Sequence, residues 1–147
     1  MAQTNRMAKQ AAPIDLSDRF EKIPVKIFST PQDGSVFVAR QVSDFIREKQ
    51  KKKEKCVLGL ATGSTPKSLY TELVRLHREE KLSFKNVITF NLDEYCPIDN
   101  DGLQSYNRFM RTNLFDHIDI NPKNIHIPNG EIKKEDIKEH CRQYEKM

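Results

Sequence analysis

Apolar residues in this chain follow two patterns, short continuous runs that are typical of buried strands and a spacing of three or four that is typical of helices. Apolar runs predict four strands, over residues 24–28, 56–61, 87–92 and 125–127. Helical spacing predicts helices after Thr30-Pro31, after Pro66, over 105–115 and around Ile137, Cys141 and Tyr144. Each predicted strand is therefore followed by a helix.

This alternation indicates βαβ units, in which the strands are mostly parallel. The predicted fold is α/β, a Rossmann-like three-layer αβα arrangement with a mostly parallel sheet. Residues 1–22 show no period and predict a flexible extension, whereas residues 23–147 predict one domain. Ligands of such sheets bind beyond the carboxyl ends of the strands.

The composition of the chain argues against several classes of protein. The chain is 37% hydrophobic and 31% charged, and no apolar run approaches the roughly twenty residues that cross a bilayer. Residues 1–14 lack the apolar core of a secretory signal, so we expect a cytoplasmic protein. The three cysteines are widely spaced and include no C-x-x-C pair, which argues against a disulfide framework or a metal site.

The net charge of +4 comes from one segment, residues 47–55, which holds six basic and two acidic residues. A basic run at a helix end is usually a solvated terminus that complements the helix dipole. No aromatic residue interleaves with it, so it offers no platform for stacking bases. We therefore expect no nucleic-acid partner.

The first candidate site is the turn Thr62-Gly63-Ser64-Thr65-Pro66, which joins a predicted strand to a predicted helix. Gly63 allows close approach of a ligand, and the helix start offers free amide donors and a partial positive charge to a phosphate. Ser64 and Thr65 add hydroxyl donors. The residues fit an ordinary Ser/Thr helix cap equally well, and neither nucleotide-binding glycine motif is present.

The second candidate site is Asp93-Glu94-Tyr95, at the end of the predicted strand over 87–92. Neighbouring residues of an extended chain point in opposite directions, so we expect only one of the two carboxylates to face the cleft. A partly desolvated carboxylate there could serve as a general base. Taken alone, the two residues are more simply explained as a solvated loop or a helix cap.

The two candidate turns are more informative when they are considered together. If their strands are neighbours or next-neighbours in the sheet, the turns lie only about 5 to 10 Å apart. An anion cradle and a carboxylate at that separation suit one small phosphorylated sugar.

Residues 25–147 resemble the glucosamine-6-phosphate deaminase (isomerase) family, most densely over 58–66 and 84–95. The turn at 62–66 also fits 6-phosphogluconolactonases, which share the fold. The string Asn91-Leu92-Asp93-Glu94-Tyr95 is more specific, since lactonases usually carry Asp-Glu-Arg at that place. The resemblance implies conversion of glucosamine 6-phosphate to fructose 6-phosphate and ammonia, with no metal or organic cofactor.

Carried over by position, the resemblance implies that Asp93 moves a proton from carbon 2 to carbon 1 of the sugar. Gly63, Ser64 and Thr65 would hold the phosphate, with Thr62 in support. The further pocket candidates are Glu94, Tyr95 and Tyr106. The two tyrosines fit ordinary packing of aromatic rings at least as well. The expected partners are a small sugar phosphate and, in the full-length protein, further copies of the chain.

The resemblance also implies what is missing. The family's later Gly- and His-containing motif, which supplies a ring-opening histidine, is absent from the sequence, as are the later basic phosphate ligands and the lid. We therefore expect an incomplete sheet and a chain that is inactive alone. The alternatives are a 6-phosphogluconolactonase, which would hydrolyse an ester, and a sugar-phosphate sensor without catalysis.

Overall fold

The computed structural model describes the backbone of residues 14–15 and the whole of residues 23–147. The chain divides into two compact units, residues 1–34 and 35–147. In the first unit, β1 (Ile14–Asp15) and β2 (Lys26–Ile27) form a two-stranded antiparallel pair. Apart from β1, the predicted extension over residues 1–22 lies outside the described residues.

The prediction that residues 24–28 form the first strand of the parallel sheet is wrong. Only Lys26 and Ile27 are in a strand, and that strand belongs to the separate antiparallel pair. Both residues are exposed. Strands of a parallel sheet are normally buried on both faces, so a short exposed segment of this kind fits an antiparallel ribbon better.

Helix α1 (Pro31–Lys51) begins where the sequence predicts. The Thr30 hydroxyl accepts a hydrogen bond from the Asp33 amide at 3.1 Å, and Pro31 occupies the first helical position, where no amide is needed. At the other end of the helix, Lys52 pairs with Glu48 at 2.6 Å. The basic segment is thus partly neutralised by acidic neighbours on the same surface.

The second unit is built on a parallel sheet whose strands lie in the order β3 (Cys56–Leu60), β4 (Val87–Asn91) and β5 (Ile125–His126). Helix α2 (Lys67–Glu80) connects the first two strands. The register pairs Cys56 with Val87 and Leu60 with Asn91, so β3 and β4 end side by side. The prediction of a mostly parallel α/β sheet is confirmed for this unit.

The two faces of the sheet are buried to different degrees. On one face, Cys56 and Val87 are fully buried in a cluster with residues of α1 and α2. On the other face, Val57 is 58% exposed, and Phe90 is covered by His126 and Tyr144. The alternation reflects a sheet with helical cover over one side and partial cover over the other.

The remaining elements are short. Helix α3 spans Tyr106–Asn113 and helix α4 spans Ile137–Tyr144. Three 3₁₀ turns occupy Phe115–His117, Pro122–Asn124 and Lys134–Asp136. The helix predicted over 105–115 is shorter than expected because Ser105 is its cap and Phe115 opens a 3₁₀ turn. Within the described residues, no helix is long and apolar enough to cross a membrane.

Candidate active site

The ends of β3 and β4 bring the two candidate turns to one edge of the sheet. Leu60 and Asn91 are paired in register, and the chain leaves the sheet immediately after each. Adjacent strands are about 4.8 Å apart, so the condition under which the two turns are expected to lie close together, that their strands are neighbours, is met. The edge is the carboxyl end of a parallel sheet, where ligands of such folds bind.

The first turn presents unused hydrogen-bond donors. Gly63 has a φ of +96°, a conformation that other residues adopt only with strain. Gly63, Ser64 and Thr65 are exposed. Within the described part of the chain, the hydroxyls of Ser64 and Thr65 make no hydrogen bond, and α2 has no side-chain cap. The alternative of a simple Ser/Thr cap therefore does not describe this turn.

The start of α2 adds to the positive character of this turn. The first amide of the helix with an i−4 carbonyl partner is that of Tyr70, which donates to Pro66 at 3.0 Å. Of the amides before it in the helix, that of Lys67 donates to the Ser64 carbonyl at 3.4 Å, which leaves those of Ser68 and Leu69 as orphan donors of the helix terminus. Lys67 opens the helix, with its ammonium 5.7 Å from the Phe109 ring. A lysine in the first turn opposes the helix dipole, and this signal could have marked Lys67 as an anion ligand from sequence.

The second turn separates its two carboxylates, as the sequence predicts. The Glu94 carboxylate accepts four hydrogen bonds, from the amides of Tyr95, Tyr106 and Asn107 and from the Ser105 hydroxyl, at 2.9 to 3.0 Å. Glu94 is therefore engaged at the N-terminus of α3. The helix-cap interpretation is correct for this one residue.

Asp93 has the opposite environment. Its side chain is exposed, and among the described residues it has no hydrogen-bond or ion-pair partner. It is the carboxylate available to a ligand at this edge of the sheet. The expected partial desolvation is not present, because nothing in the described chain covers Asp93. A base at this position would lose water only when a ligand or further polypeptide closes over it.

A pair of phenols connects the two turns. The Tyr106 hydroxyl donates to the Tyr95 hydroxyl at 3.3 Å, and the two ring centroids lie 5.1 Å apart. This hydrogen bond is the main reason that the pKa of Tyr106 is raised above its usual value. Thr62 lowers the pKa of Tyr106, and the charge of Asp93 contributes a smaller upward shift. Residues of both candidate turns therefore meet at Tyr106.

Three further side chains fix the strand ends, and the sequence analysis assigned none of them a role. The Asn91 amide donates to the Leu60 carbonyl at 2.8 Å, and the Tyr70 hydroxyl donates to the Ala61 carbonyl. Burial raises the pKa of Tyr70 to about 12. The Tyr144 hydroxyl contacts the carbonyls of Asn91 at 2.8 Å and of His126 at 2.9 Å. These contacts hold all three strand ends, and only tertiary structure reveals them.

Gly130 supports the carboxylate turn from outside the site. It is buried, and its carbonyl accepts a hydrogen bond from the Ile98 amide at 2.8 Å. A Cβ atom at this position would lie 2.5 Å from the Tyr95 carbonyl oxygen and 3.1 Å from Glu94 Cγ. The close approach leaves room for glycine alone, so residue 130 helps to set the path of the turn.

An apolar cavity of about 590 Å³ lies beside the candidate site, over the ends of β3 and β4. Phe90, Leu92 and Tyr144 are among its lining residues, and Leu92 is 93% exposed. None of the eight predicted site residues lines this cavity. Since a sugar phosphate needs polar partners, the cavity is a poorer candidate for that ligand than the edge that carries Asp93 and Gly63.

Both the sequence and the fold of this chain are similar to those of known proteins. Residues 29–147 match the family described as glucosamine-6-phosphate isomerases/6-phosphogluconolactonase. Glucosamine-6-phosphate deaminase 1 of Bacillus subtilis is 43% identical over 118 residues, covering 80% of this chain and 46% of that protein. The deaminase of Treponema denticola is 50% identical over 116 residues, covering 78% and 42%.

Solved structures show the same similarity. The structure of a monomeric glucosamine-6-phosphate deaminase matches with a TM-score of 0.73 and 44% identity, over 80% of this chain and 46% of that one. A 6-phosphogluconolactonase from Thermotoga maritima matches with a TM-score of 0.63 and 28% identity, over 78% and 49%. The chain spans less than half the length of these relatives.

Proposed function

Since this chain belongs to the family of glucosamine-6-phosphate isomerases and 6-phosphogluconolactonases, we propose that it carries the phosphate-binding turn and the proton-transfer base of a glucosamine-6-phosphate deaminase. The observation that carries the proposal is the arrangement at the ends of β3 and β4. A turn of unused donors stands beside one unpartnered carboxylate, Asp93, while its neighbour Glu94 is fully engaged.

The deaminase is favoured over the lactonase by similarity. The deaminase relatives share 43% to 50% of their aligned residues with this chain, whereas the lactonase of Thermotoga maritima shares 28%. Tyr95 also differs from the arginine expected of lactonases at this position. We accordingly place the protein in cytoplasmic amino-sugar metabolism.

The proposed chemistry is an isomerisation that releases ammonia. The phosphate of glucosamine 6-phosphate binds at Gly63, Ser64 and Thr65, where free amides and hydroxyls face a dianion. Asp93 removes the proton from carbon 2 of the open-chain sugar and returns it to carbon 1, which leaves an imine at carbon 2. Water then adds to this imine and ammonia leaves, giving fructose 6-phosphate. Tyr95 and Tyr106 border the space between the two groups. No metal or organic cofactor takes part in this scheme.

The proposal assigns this chain one part of the site. Because the chain spans less than half of its relatives, we infer that normal turnover also needs groups from the part of the relatives that it does not cover. A chimera can supply them, with residues 29–147 replacing the corresponding part of the Bacillus subtilis deaminase. We expect the chimera to release ammonia and the chain alone to fall short of it by more than about tenfold, or 1.4 kcal/mol in the barrier.

The role of Asp93 is tested in the same chimera. Asp93→Asn should lower turnover by about a hundredfold or more, the usual scale for a lost general base, and should lower exchange of the carbon 2 hydrogen with deuterated solvent to the same extent. Binding of glucosamine 6-phosphate should change little, because the phosphate turn is untouched. Unchanged exchange in Asp93→Asn would refute the assignment, and hydrolysis of 6-phosphogluconolactone by the chimera without ammonia release would favour the lactonase.

A further inference from the structure

Glu94 is surrounded by donors in a way that limits its chemistry. An ionised carboxylate has about four sites at which it can accept hydrogen bonds. One oxygen of Glu94 accepts from the amides of Tyr95 at 2.9 Å and Tyr106 at 3.0 Å, and the other accepts from the Ser105 hydroxyl and the Asn107 amide, both at 2.9 Å. All four sites are occupied, so no lone pair remains to take a proton from a ligand.

The position of this carboxylate explains why it is held so firmly. It lies at the N-terminus of α3, where the helix dipole and orphan amides favour a negative charge. Hydrogen bonds to a charged acceptor are roughly twice as strong as neutral ones. Ser105, which is 1% exposed, reinforces the same junction, because its hydroxyl also accepts from the Asn107 amide at 3.1 Å.

The hydrogen bonds of Glu94 also help to fix the positions of neighbouring residues of the candidate site. Asp93 precedes it in the chain, and Tyr106 is the first residue of the helix that it caps. Tyr106 in turn donates to Tyr95, and Thr62 of the phosphate turn lies near enough to lower the pKa of Tyr106. Glu94 therefore joins the segment that follows β4 to the start of α3, whose first residue is Tyr106.

We propose that Glu94 is a positioning residue, which fixes Asp93 and Tyr106 relative to the phosphate turn and takes no part in acid–base chemistry. Its catalytic value rests on the function proposed above, but its structural effect can be measured in this chain without turnover. The position is held by the charge and reach of the carboxylate, so an amide of the same size is a poor substitute. In glutamine an NH₂ group would replace one of the two carboxylate oxygens. This group would face two hydrogen-bond donors and cannot accept from either.

The first test is Glu94→Gln in the 147-residue chain, with Glu135→Gln as the matched control on an exposed 3₁₀ turn. We expect the amides of Tyr106 and Asn107 to lose hydrogen-exchange protection by about tenfold or more in Glu94→Gln and to be unchanged in the control. Overall helix content should be retained. Unchanged protection at both amides would overturn the proposal.

The second readout is the titration of Tyr106, isolated by comparison with Tyr106→Phe. If Glu94 holds the helix start in place, its loss should weaken the hydrogen bond to Tyr95 and move the pKa of Tyr106 down toward its ordinary value. Glu94→Asp is the second variant, for use if Glu94→Gln lowers overall stability too far to measure. It keeps the charge but is one methylene shorter, and it should lower the pKa of Tyr106 by a smaller amount. A titration identical to wild type in both variants would contradict the proposed role.

The third readout separates this proposal from the proposed function. Glucosamine 6-phosphate is titrated into isotopically labelled chain, and the amides of Gly63 and Asp93 are followed by NMR. In Glu94→Gln, affinity measured at Gly63 should stay within about twofold while the shift at Asp93 is reduced, because only the second turn is displaced. Loss of binding at both residues would count against the role of Glu94. Absence of binding in the wild-type chain would count against the proposed function alone, since exchange and tyrosine titration still decide the role of Glu94.

Discussion

The two turns at the ends of β3 and β4 differ in how their polar groups are used. In the turn at 62–66, the Ser64 and Thr65 hydroxyls have no partner within the described chain, and the glycine has a positive φ. In the turn at 93–95, Glu94 alone accepts four hydrogen bonds, and Gly130 packs closely behind it. The hydroxyl donors of the turn at 62–66 are therefore free, whereas the turn at 93–95 is held in place by hydrogen bonds and close packing; we call it the braced turn.

This difference matches two different tasks. A phosphate is bound by donors that have no other partner, and small adjustments of a hydroxyl rotor cost little when the ligand arrives. A general base must be held at a fixed distance and angle from the proton it moves, since small displacements are costly in rate. The hydrogen bonds that hold this turn are made by Glu94, next to Asp93. Asp93 itself has no partner among the described residues.

The largest effect is expected from breaking the braced turn. Gly130→Ala would place a Cβ atom 2.5 Å from the Tyr95 carbonyl oxygen and against Ile98 Cγ2. A backbone oxygen cannot move aside cheaply, so the free energy of unfolding should fall by about 3 kcal/mol, the upper part of the usual range for overpacking. Urea denaturation followed by circular dichroism measures this loss.

Gly59→Ala is the matched control for that substitution. A Cβ atom at Gly59 meets nothing within 4 Å, and the residue lies in strand β3. Replacing a strand glycine by alanine should leave stability unchanged or raise it by about 0.5 kcal/mol. Equal losses at the two glycines would show that the carboxylate turn is not specially constrained.

An intermediate effect is expected from removing one donor of the free turn. Thr65→Ala should weaken binding of glucosamine 6-phosphate by about 1.5 kcal/mol or more, since a hydrogen bond to a charged group is lost, and stability should barely change because the hydroxyl has no partner in the described chain. Calorimetric titration with glucosamine 6-phosphate measures the change in affinity.

Thr71→Ala serves as the control for this loss of a hydroxyl. The Thr71 hydroxyl donates to the Lys67 carbonyl at 3.0 Å, so it is already paired inside α2 and is not one of the free donors of the turn. Its removal should leave sugar-phosphate affinity unchanged. A loss of stability in Thr65→Ala with unchanged affinity would mean that the turn acts as a structural cap.

A smaller effect is expected at Tyr70, which ties α2 to the end of β3. Tyr70→Phe leaves the Ala61 carbonyl without its donor and should cost about 1 kcal/mol. The pKa of Tyr70 is raised to about 12, so the folded state favours the protonated phenol. Its contribution is complete below the usual phenol pKa of about 10 and is lost as the pH rises through 12.

Absorbance at alkaline pH tests this assignment. The chain has four tyrosines and no tryptophan, so phenolate formation can be followed with little interference. We expect a step near pH 12 in the wild type that is missing in Tyr70→Phe, together with a smaller loss of stability between about pH 10 and 12 in the variant. A wild-type chain that titrates all four phenols near pH 10 would contradict the buried environment of Tyr70.

Much of this arrangement follows from local sequence pattern. The apolar runs at 56–61 and 87–92 predict β3 and β4 to within one residue, because short and mostly apolar runs of this length are typical of strands. The different environments of Asp93 and Glu94 agree with the expectation that neighbouring side chains point apart, although both residues lie beyond the end of β4. These features depend only on neighbouring residues.

Other features depend on contacts that are distant in sequence. The partners of Glu94 include Ser105 and Asn107, more than ten residues away, and Gly130 comes from another loop. The misplaced strand at 24–28 has the same cause. Its apolar residues suit any strand, and only its pairing with Ile14–Asp15 decides that it is antiparallel and separate from the parallel sheet.

The account stands on the claim that the two turns form one site for a single sugar phosphate. The most direct measurement is an NMR titration of the labelled wild-type chain with glucosamine 6-phosphate, with unphosphorylated glucosamine as the control ligand. The account predicts that the amides of Gly63 and Asp93 shift with the same dissociation constant for the phosphorylated sugar and do not respond to glucosamine at the same concentrations. Shifts confined to one turn, or different constants for the two, would contradict it.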